Sequence, residues 1–347
     1  MRLEAIDYHL PKRLIAQKPL GERNASRLML VDRDTAHLEH TTFKRLPEFM
    51  TRGDVLIVNR SRVIPARLFV RRRSGGRVEL LTTKILDKKR FCALANPIRK
   101  ARVGEVLFGE DGDFTCRVLE REGDREIRVE LTTDADVFGV LESCGHVPLP
   151  PYIERPDEPA DRDRYQTVFA AERGSVAAPT AGLHFTDELL ERLEEVGVTV
   201  CSLVLHVGLG TFLPLAQDEV EENRLHSEGY SIDGRALRLI ADAKSSGRRV
   251  VAVGTTVTRV LETVCRNGIL DDFDVDREYA GETDLFIYPG FEFRCVDRLI
   301  TNFHLPRSSL LLLVCAFLGV ERTMACYRHA VNANYRFYSY GDAMFIK

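Results

Sequence analysis

The sequence predicts an α/β protein in which an α/β-barrel-like main domain is interrupted by a small antiparallel β-barrel. Three observations predict it. Segments 1–68 and 150–347 carry short apolar runs followed by helical patterns, the texture of a largely parallel sheet or an α/β barrel. Residues 69–149 carry short, partly alternating runs separated by turn signals, which suits a small antiparallel barrel or sandwich. The α/β texture then resumes, so the middle segment reads as an insertion. Two domains also suit 347 residues at roughly 100–200 residues per domain.

Each element has its own signal. Val55-Leu56-Ile57-Val58 reads as a buried strand. In the insertion, Arg77–Thr82, Phe91–Ala95, Glu105–Phe108, Phe114–Leu119 and Glu126–Leu131 read as strands, with turns at Gly75-Gly76 and across Gly109–Asp113. Further on, Thr186 looks like an N-cap, with Asp187 and Glu188 in the first turn. Leu189, Leu190, Leu193 and Val196 follow at helical spacing and Gly197 stops the helix. Val198–Val207 reads as a strand, Ala236–Lys244 as a helix and Val250–Val253 as a strand. Thr256–Cys265 and Leu310–Leu318 look helical.

Composition narrows the class. Hydrophobic residues make up 44% and charged residues 29%, with a net charge of −3, an ordinary globular balance. The longest apolar stretch, Leu310–Val320, has 11 residues, against about 20 for a membrane crossing. The first residues, Met1-Arg2-Leu3-Glu4-Ala5-Ile6-Asp7, place acids where a signal peptide would be apolar. A cytoplasmic protein without membrane association is expected. The eight cysteines, at 92, 116, 144, 201, 265, 295, 315 and 326, form no C-x-x-C pair. That excludes the usual zinc and dithiol motifs and suggests reduced structural thiols.

Charge is unevenly spread. Arg67–Arg102 holds 12 basic residues against Glu79 and Asp87, a net +10, whereas Val103–Asp163 holds 17 acids and 6 bases, a net −11. A basic segment in a mildly acidic protein is a local attractor for phosphate, or simply a solvated face of a charged β domain.

Several motifs fail. His206-Val207-Gly208-Leu209-Gly210-Thr211-Phe212 begins like a dinucleotide loop, but Leu213 stands at the third glycine position. No Gly-Lys pair exists for a phosphate-binding loop. His226-Ser227-Glu228 fits half of a zinc deaminase motif whose cysteine half is missing. No metal and no prosthetic group are expected.

What survives is a set of polar, glycine-rich loops, each expected at the end of a strand. They are Asn59–Arg67, Ala178–Phe185, His206–Phe212, Gly254-Thr255-Thr256 with Arg259 one turn on, and Thr301–Pro306 before Ser308-Ser309. Ligands of α/β proteins bind at the carboxyl ends of strands, and small residues at helix starts leave N–H groups for carboxylates or phosphates. Singly, each loop is also explained by turns and caps. Four histidines in such positions, His184, His206, His226 and His304, favour an enzyme site, because imidazole moves protons near neutral pH.

These loops resemble those of the S-adenosylmethionine:tRNA ribosyltransferase-isomerase family of queuosine biosynthesis. The likeness runs over nearly the whole chain. It includes Asp7–Pro11, Leu14–Gln17, Ser26–Leu28, Asn59–Leu68, Ala178–Thr186 and His206–Phe212. It continues through His226, Glu228 and Tyr230, then Val253–Thr256, Thr301–Ser308 and Tyr335–Met344. The first loop departs from the usual Asn-Asp-Thr-Arg by reading Asn59-Arg60-Ser61-Arg62, and Ser309 replaces a usual threonine.

The resemblance implies the same two-part fold and a reaction. The ribosyl part of S-adenosylmethionine passes to 7-aminomethyl-7-deazaguanine in a tRNA anticodon, giving epoxyqueuosine-tRNA, adenine and methionine. S-adenosylmethionine is thus a substrate, and the partner is the anticodon stem-loop. Such chemistry needs a base near the 5′ carbon that the sulfonium acidifies, an acid toward adenine and a neutral attacking amine. His184, His226 and Glu228 are the expected acid–base groups. Asn59, Arg62, Arg67, Pro179, Thr180, Gly182, His206, Gly208, Gly210, Thr211, Gly254, Thr255, Thr256, Arg259, Thr301, Asn302, Phe303 and His304 are expected at the substrates. Arg71, Arg72 and Arg73 are expected on tRNA phosphates. A monomer is assumed. The alternatives are a noncatalytic tRNA-binding protein of the same fold and a methyltransferase, which would release S-adenosylhomocysteine.

Overall fold

The computed structural model describes the chain except residues 36, 124 and 209–214. In chain order the strands begin with β1 (Arg27–Val31), β2 (Leu38–Thr42), β3 (Val55–Asn59) and β4 (Ser61–Val63). The inserted segment supplies β5 (Arg67–Arg72), β6 (Arg77–Ile85), β7 (Arg90–Asn96), β8 (Val106–Gly109), β9 (Thr115–Glu122) and β10 (Glu126–Leu131). The helices α1 (Val137–Cys144) and α2 (Asp161–Arg164) follow, then β11 (Glu172–Ser175), α3 (Asp187–Glu195), β12 (Thr199–Leu205) and β13 (Glu228–Asp233). The chain ends with α4 (Gly234–Ser245), β14 (Val250–Val253), α5 (Thr255–Arg266), β15 (Glu278–Thr283), β16 (Arg298–Asn302), α6 (Ser309–Leu318), α7 (Val320–Asn332) and β17 (Ala343–Ile346).

Nine strands form one mixed sheet in the order β15-β13-β12-β3-β14-β16-β17-β1-β2. Its centre, β12-β3-β14-β16, is parallel, as the alternating texture predicts. The flanks correct the expectation of a largely parallel sheet, because β13, β15 and β2 pair antiparallel and β17 runs antiparallel to β16. Antiparallel partners need no crossover helix, so these flanking strands carry little of the strand–helix rhythm. The parallel centre brings the carboxyl ends of β3, β12, β14 and β16 to one edge, at Asn59, Leu205, Val253 and Asn302.

The helices follow from local chemistry. The Thr186 hydroxyl accepts from the Leu189 N–H and caps α3, whose Leu189 and Leu193 turn inward. Ser308 caps α6 in the same way, and α6 is apolar on all sides because it is buried on nearly all of them. After Gly319 the chain bends by 116° into α7, a helix the sequence pattern did not predict. Among the described residues no single helix is long and apolar enough to cross a membrane.

The insertion closes into a six-stranded antiparallel barrel, β10-β7-β6-β5-β8-β9. Alternation along β6 and β10 sends Val78, Leu80, Ile127 and Val129 into its core, and Val137, Val140 and Leu141 of α1 join them. Pairing of β5 with β8 also sets basic segment against acidic segment. The charges that the sequence separates are thereby interleaved. All eight cysteines are free, and burial pushes the Cys116 and Cys201 thiols up to about 12, as suits structural thiols.

Candidate active site

Three neighbouring spaces lie at the carboxyl edge of the sheet. The first, about 450 Å³, is walled by Tyr152, Thr180, Asn302, His304, Tyr338 and Ser339, with Arg307 at its side. The second, about 470 Å³, lies where barrel meets body: Thr83, Leu94, Arg125 and Glu126 of the barrel face His226, Glu228, Arg259 and Gly208. The third is a recess of about 30 Å³ at the start of α5, between Pro179, Thr180, Gly254, Thr255, Thr256, Thr301 and Asn302. Leu310 lines all three.

Asn302 organises the first cavity. Its carboxamide nitrogen donates to His184 Nε2 at 3.0 Å and to the Tyr338 carbonyl at 3.3 Å, and its oxygen accepts from the Thr180 hydroxyl at 2.9 Å. His184 Nδ1 lies 2.8 Å from the Ser26 hydroxyl, and its ring stacks on Phe43. With Nε2 accepting, Nδ1 carries the hydrogen and donates to Ser26. Burial pushes the His184 pKa down to about 3, with Arg336 and Arg23 adding to the effect, so the ring is neutral. His184 is 3% exposed and both its nitrogens are engaged. His184, expected as an acid–base group, lines neither the first nor the second cavity, and its contact with the Asn302 nitrogen fixes which way that carboxamide points.

His304 also lies inside. Its Nε2 is 2.8 Å from the Thr301 hydroxyl, and burial lowers its pKa to about 3. Tyr8 donates to its carbonyl and the Tyr327 hydroxyl lies 3.1 Å from its N–H. Opposite, Tyr152 and Tyr338 stack at 4.2 Å with a 27° interplanar angle. Tyr338 has φ +72, a strained setting for a bulky residue, and its buried hydroxyl has no partner among the described residues. Such strain, roughly 1–3 kcal/mol, persists where the surroundings impose it. Here the Tyr338 N–H donates to the Phe303 carbonyl, and its carbonyl accepts from Gly341.

The second cavity is charged. Arg259 donates through NH1 to the Glu228 carboxylate, and through Nε and NH2 to the Leu285 and Thr283 carbonyls at 3.0 Å each. The Gly208 N–H donates to the other Glu228 oxygen at 2.8 Å. Both residues of this ion pair are buried, a costly arrangement that survives only with such added hydrogen bonds. His226 is exposed on the same wall. Across the gap, the Thr83 hydroxyl holds Glu126 at 2.5 Å.

Other expected site residues fall elsewhere. Asn59 is consumed in joining strands, bonding the Leu205 N–H and carbonyl and the Ser61 N–H. Arg67 pairs with Glu79 at 2.9 Å and reaches the Leu149 carbonyl. Arg62 lines a separate polar cleft with Glu142, Asp161 and Asp163. Gly182 is a packing glycine, because a Cβ there would stand 2.7 Å from the Phe169 ring. Phe303 is fully buried among Tyr327, Tyr335 and Phe337. His206 lies against Gly174, where a Cβ would meet the ring at 2.9 Å, and lines none of the three spaces. Burial lowers its pKa, with Glu172 opposing. Gly210 and Thr211 lie outside the described residues.

The basic triplet divides too. Arg71 pairs with Glu110 at 2.7 Å, and Arg72 with Glu105 through two bonds at 2.9 and 3.0 Å. Arg73 has no carboxylate partner among the described residues. The same holds for Lys84, beside Thr83, and for Arg125.

Several contributors are not evident from the sequence. Tyr152 and Ser339 carry no local signal beyond their residue types. Thr83, Arg125 and Glu126 reach the second cavity only because the barrel docks there. Tyr338 belongs to the Tyr335–Met344 segment that marks the resemblance, which was the available signal.

An α/β body whose parallel strands end beside two neighbouring cavities, one of them walled in part by an inserted barrel, has the form of an enzyme of the α/β class. The comparisons narrow this. A family model described as queuosine biosynthesis protein matches residues 3–346, and the chain belongs to that family. It is 47% identical, over the full length of both chains, to a protein of Solibacter usitatus named S-adenosylmethionine:tRNA ribosyltransferase-isomerase. It is also similar to the crystal structure of an S-adenosylmethionine tRNA ribosyltransferase from Thermotoga maritima. That likeness has 37% identity and a TM-score of 0.56, covering 99% of this chain and 100% of the other.

Proposed function

We propose that the protein is an S-adenosylmethionine:tRNA ribosyltransferase-isomerase that acts on 7-aminomethyl-7-deazaguanine in the anticodon and yields epoxyqueuosine-tRNA, adenine and methionine. The observation that carries the reading is the pair of unlike cavities meeting at Leu310. A two-substrate transfer needs both reactants in one continuous space with the reacting atoms at its junction.

The first cavity takes S-adenosylmethionine. Its tyrosine faces suit a flat purine, and the Asn302 oxygen keeps a lone pair for a ligand donor. The second cavity takes the tRNA nucleoside. It opens between body and barrel, and Arg125 at its barrel wall, with exposed Lys84 next to Thr83 in sequence, suits the adjacent phosphates. His226, exposed on that wall beside Glu228, is the histidine placed to exchange a proton with a substrate. The Glu228 carboxylate, ion-paired with Arg259 and held by the Gly208 N–H, is a fixed hydrogen-bond acceptor on this wall for the N–H of the neutral aminomethyl group.

In this account the base takes a proton from the 5′ carbon, ring opening releases adenine, and the substrate amine adds at the 4′ carbon. Ring closure onto the 1′ aldehyde and expulsion of methionine then leave the epoxide. The test is chromatography of small products after mixing protein, S-adenosylmethionine and tRNA bearing the aminomethyl base. Adenine and methionine in equal amounts, only with that tRNA, are expected. S-adenosylhomocysteine would mean methyl transfer, and tight tRNA binding with no product would mean a noncatalytic binder.

A further inference from the structure

We infer that the amino end of α5 is a carboxylate site, and that it holds the methionyl carboxylate of S-adenosylmethionine. This rests on the function proposed above and deepens it.

Two independent observations meet there. Gly254 precedes α5 with φ +91 and supplies no side-chain cap. The N–H groups of Thr255, Thr256 and Val257 consequently have no acceptor among the described residues, although Thr255 and Thr256 are each only 7% exposed. Helix starts satisfy these donors with a cap, with water or with a ligand. The second observation is the Thr256 hydroxyl, which is buried, has no partner among the described residues and belongs to the recess wall. A buried donor left unpaired is costly, so a site that keeps several together is built for an acceptor. The helix dipole makes a negatively charged acceptor the favoured one.

The surroundings select a small carboxylate. The recess has room for a small polar group and no more. A Cβ at Gly254 would stand 3.4 Å from that of Ala181, so the backbone here is already in close contact. The recess shares Thr180, Asn302, His304 and Leu310 with the first cavity. An adenosyl group lying against Tyr152 and Tyr338 can therefore extend its amino-acid arm to α5 while the sulfonium end stays near Leu310. Among the described residues no carboxylate side chain lines the recess to compete for the donors.

The experiment compares binding of S-adenosylmethionine and its decarboxylated analogue by calorimetry, without tRNA. Wild-type protein should prefer the carboxylated ligand by about tenfold or more, the usual scale for several hydrogen bonds to one charged group. Thr256→Val should cut that preference several-fold by weakening the carboxylated ligand alone, and Thr256→Ser should restore it. Thermal unfolding of each variant without ligand reports whether the fold is intact. Equal affinity of wild-type protein for the two ligands overturns the inference, as does a Thr256→Val variant that folds and weakens both ligands alike. Failure to bind either ligand would instead count against the proposed function.

Discussion

The two cavities are built on opposite electrostatic plans. The first lies within the body and is set mainly by neutral groups: His184 and His304 are buried uncharged, Asn302, Thr180 and the stacked tyrosines line or support its wall, and its one lining cation among the described residues, Arg307, is paired with Asp218. The second lies between body and barrel and is set by charge, with Arg259 and Glu228 on one side and Arg125 and Glu126 on the other. A site inside one body can be fixed by hydrogen bonds in a dry interior. A site between two parts of the chain can carry charges that guide a polyanion as well as hold it. The contrast teaches that a histidine-rich set of loops is not one acid–base cluster. Two of its histidines, His184 and His304, are buried, and His226 is exposed on the second cavity's wall.

The comparison can be broken in several ways. The largest effect should come from His226. His226→Gln should lower turnover by roughly 10²–10⁴-fold with unchanged thermal stability, because the side chain is exposed; steady-state kinetics and a melting curve check it together. Removing one partner of the buried pair comes next. Arg259→Met leaves Glu228 buried without its cation and should cost about 3–5 kcal/mol in urea unfolding. A variant as stable as wild type would show that the pair does not hold the second cavity.

The neutral plan of the first cavity has its own signature in pH. His184 ordinarily titrates near 6.5 and is held at about 3 in the fold, so the unfolded chain takes up a proton that the folded one refuses. Its contribution is complete above pH 6.5 and is lost as pH falls toward 3. The loss is about 1.4 kcal/mol per pH unit. Urea unfolding at pH 6, 5 and 4 should therefore give a shallower pH dependence for His184→Gln, by an amount that approaches about 1.4 kcal/mol per unit below pH 6. Equal slopes would mean that His184 is not kept neutral by burial.

The smallest effect concerns the basic segment. Charge reversal at Lys84 and Arg125 should weaken tRNA binding and lower its salt slope by about 0.7–0.9 for each phosphate no longer neutralised. Reversal at Arg71 and Arg72, already paired with Glu110 and Glu105, should change the slope less. Binding titrations at several salt concentrations separate the two pairs.

Much of this architecture was legible because it is local. Val55–Val58, the Thr186 cap, the Gly197 stop and the even strands of the barrel announce themselves within a few residues. Gly254–Thr256 was legible as a helix start for the same reason. What could not be read depends on distance in the fold. Depth alone turns His184 from a proton carrier into a prop for Asn302, and depth has no signature in a polar loop. Phe303 sits between two cavity residues, Asn302 and His304, yet points into the aromatic core. Arg71 and Arg72 look free until β5 pairs with β8 and brings Glu105 and Glu110 beside them. Arg125 and Glu126 reach the site only through docking of the barrel on the body.

The division of labour between the cavities is tested most directly by calorimetric binding of each substrate alone to two variants. Asn302→Ala should lose most S-adenosylmethionine affinity while keeping that for tRNA. The Lys84→Glu/Arg125→Glu double variant should show the reverse. If either folded variant weakens both ligands equally, or the pattern is inverted, the two cavities do not hold separate substrates and the account is wrong.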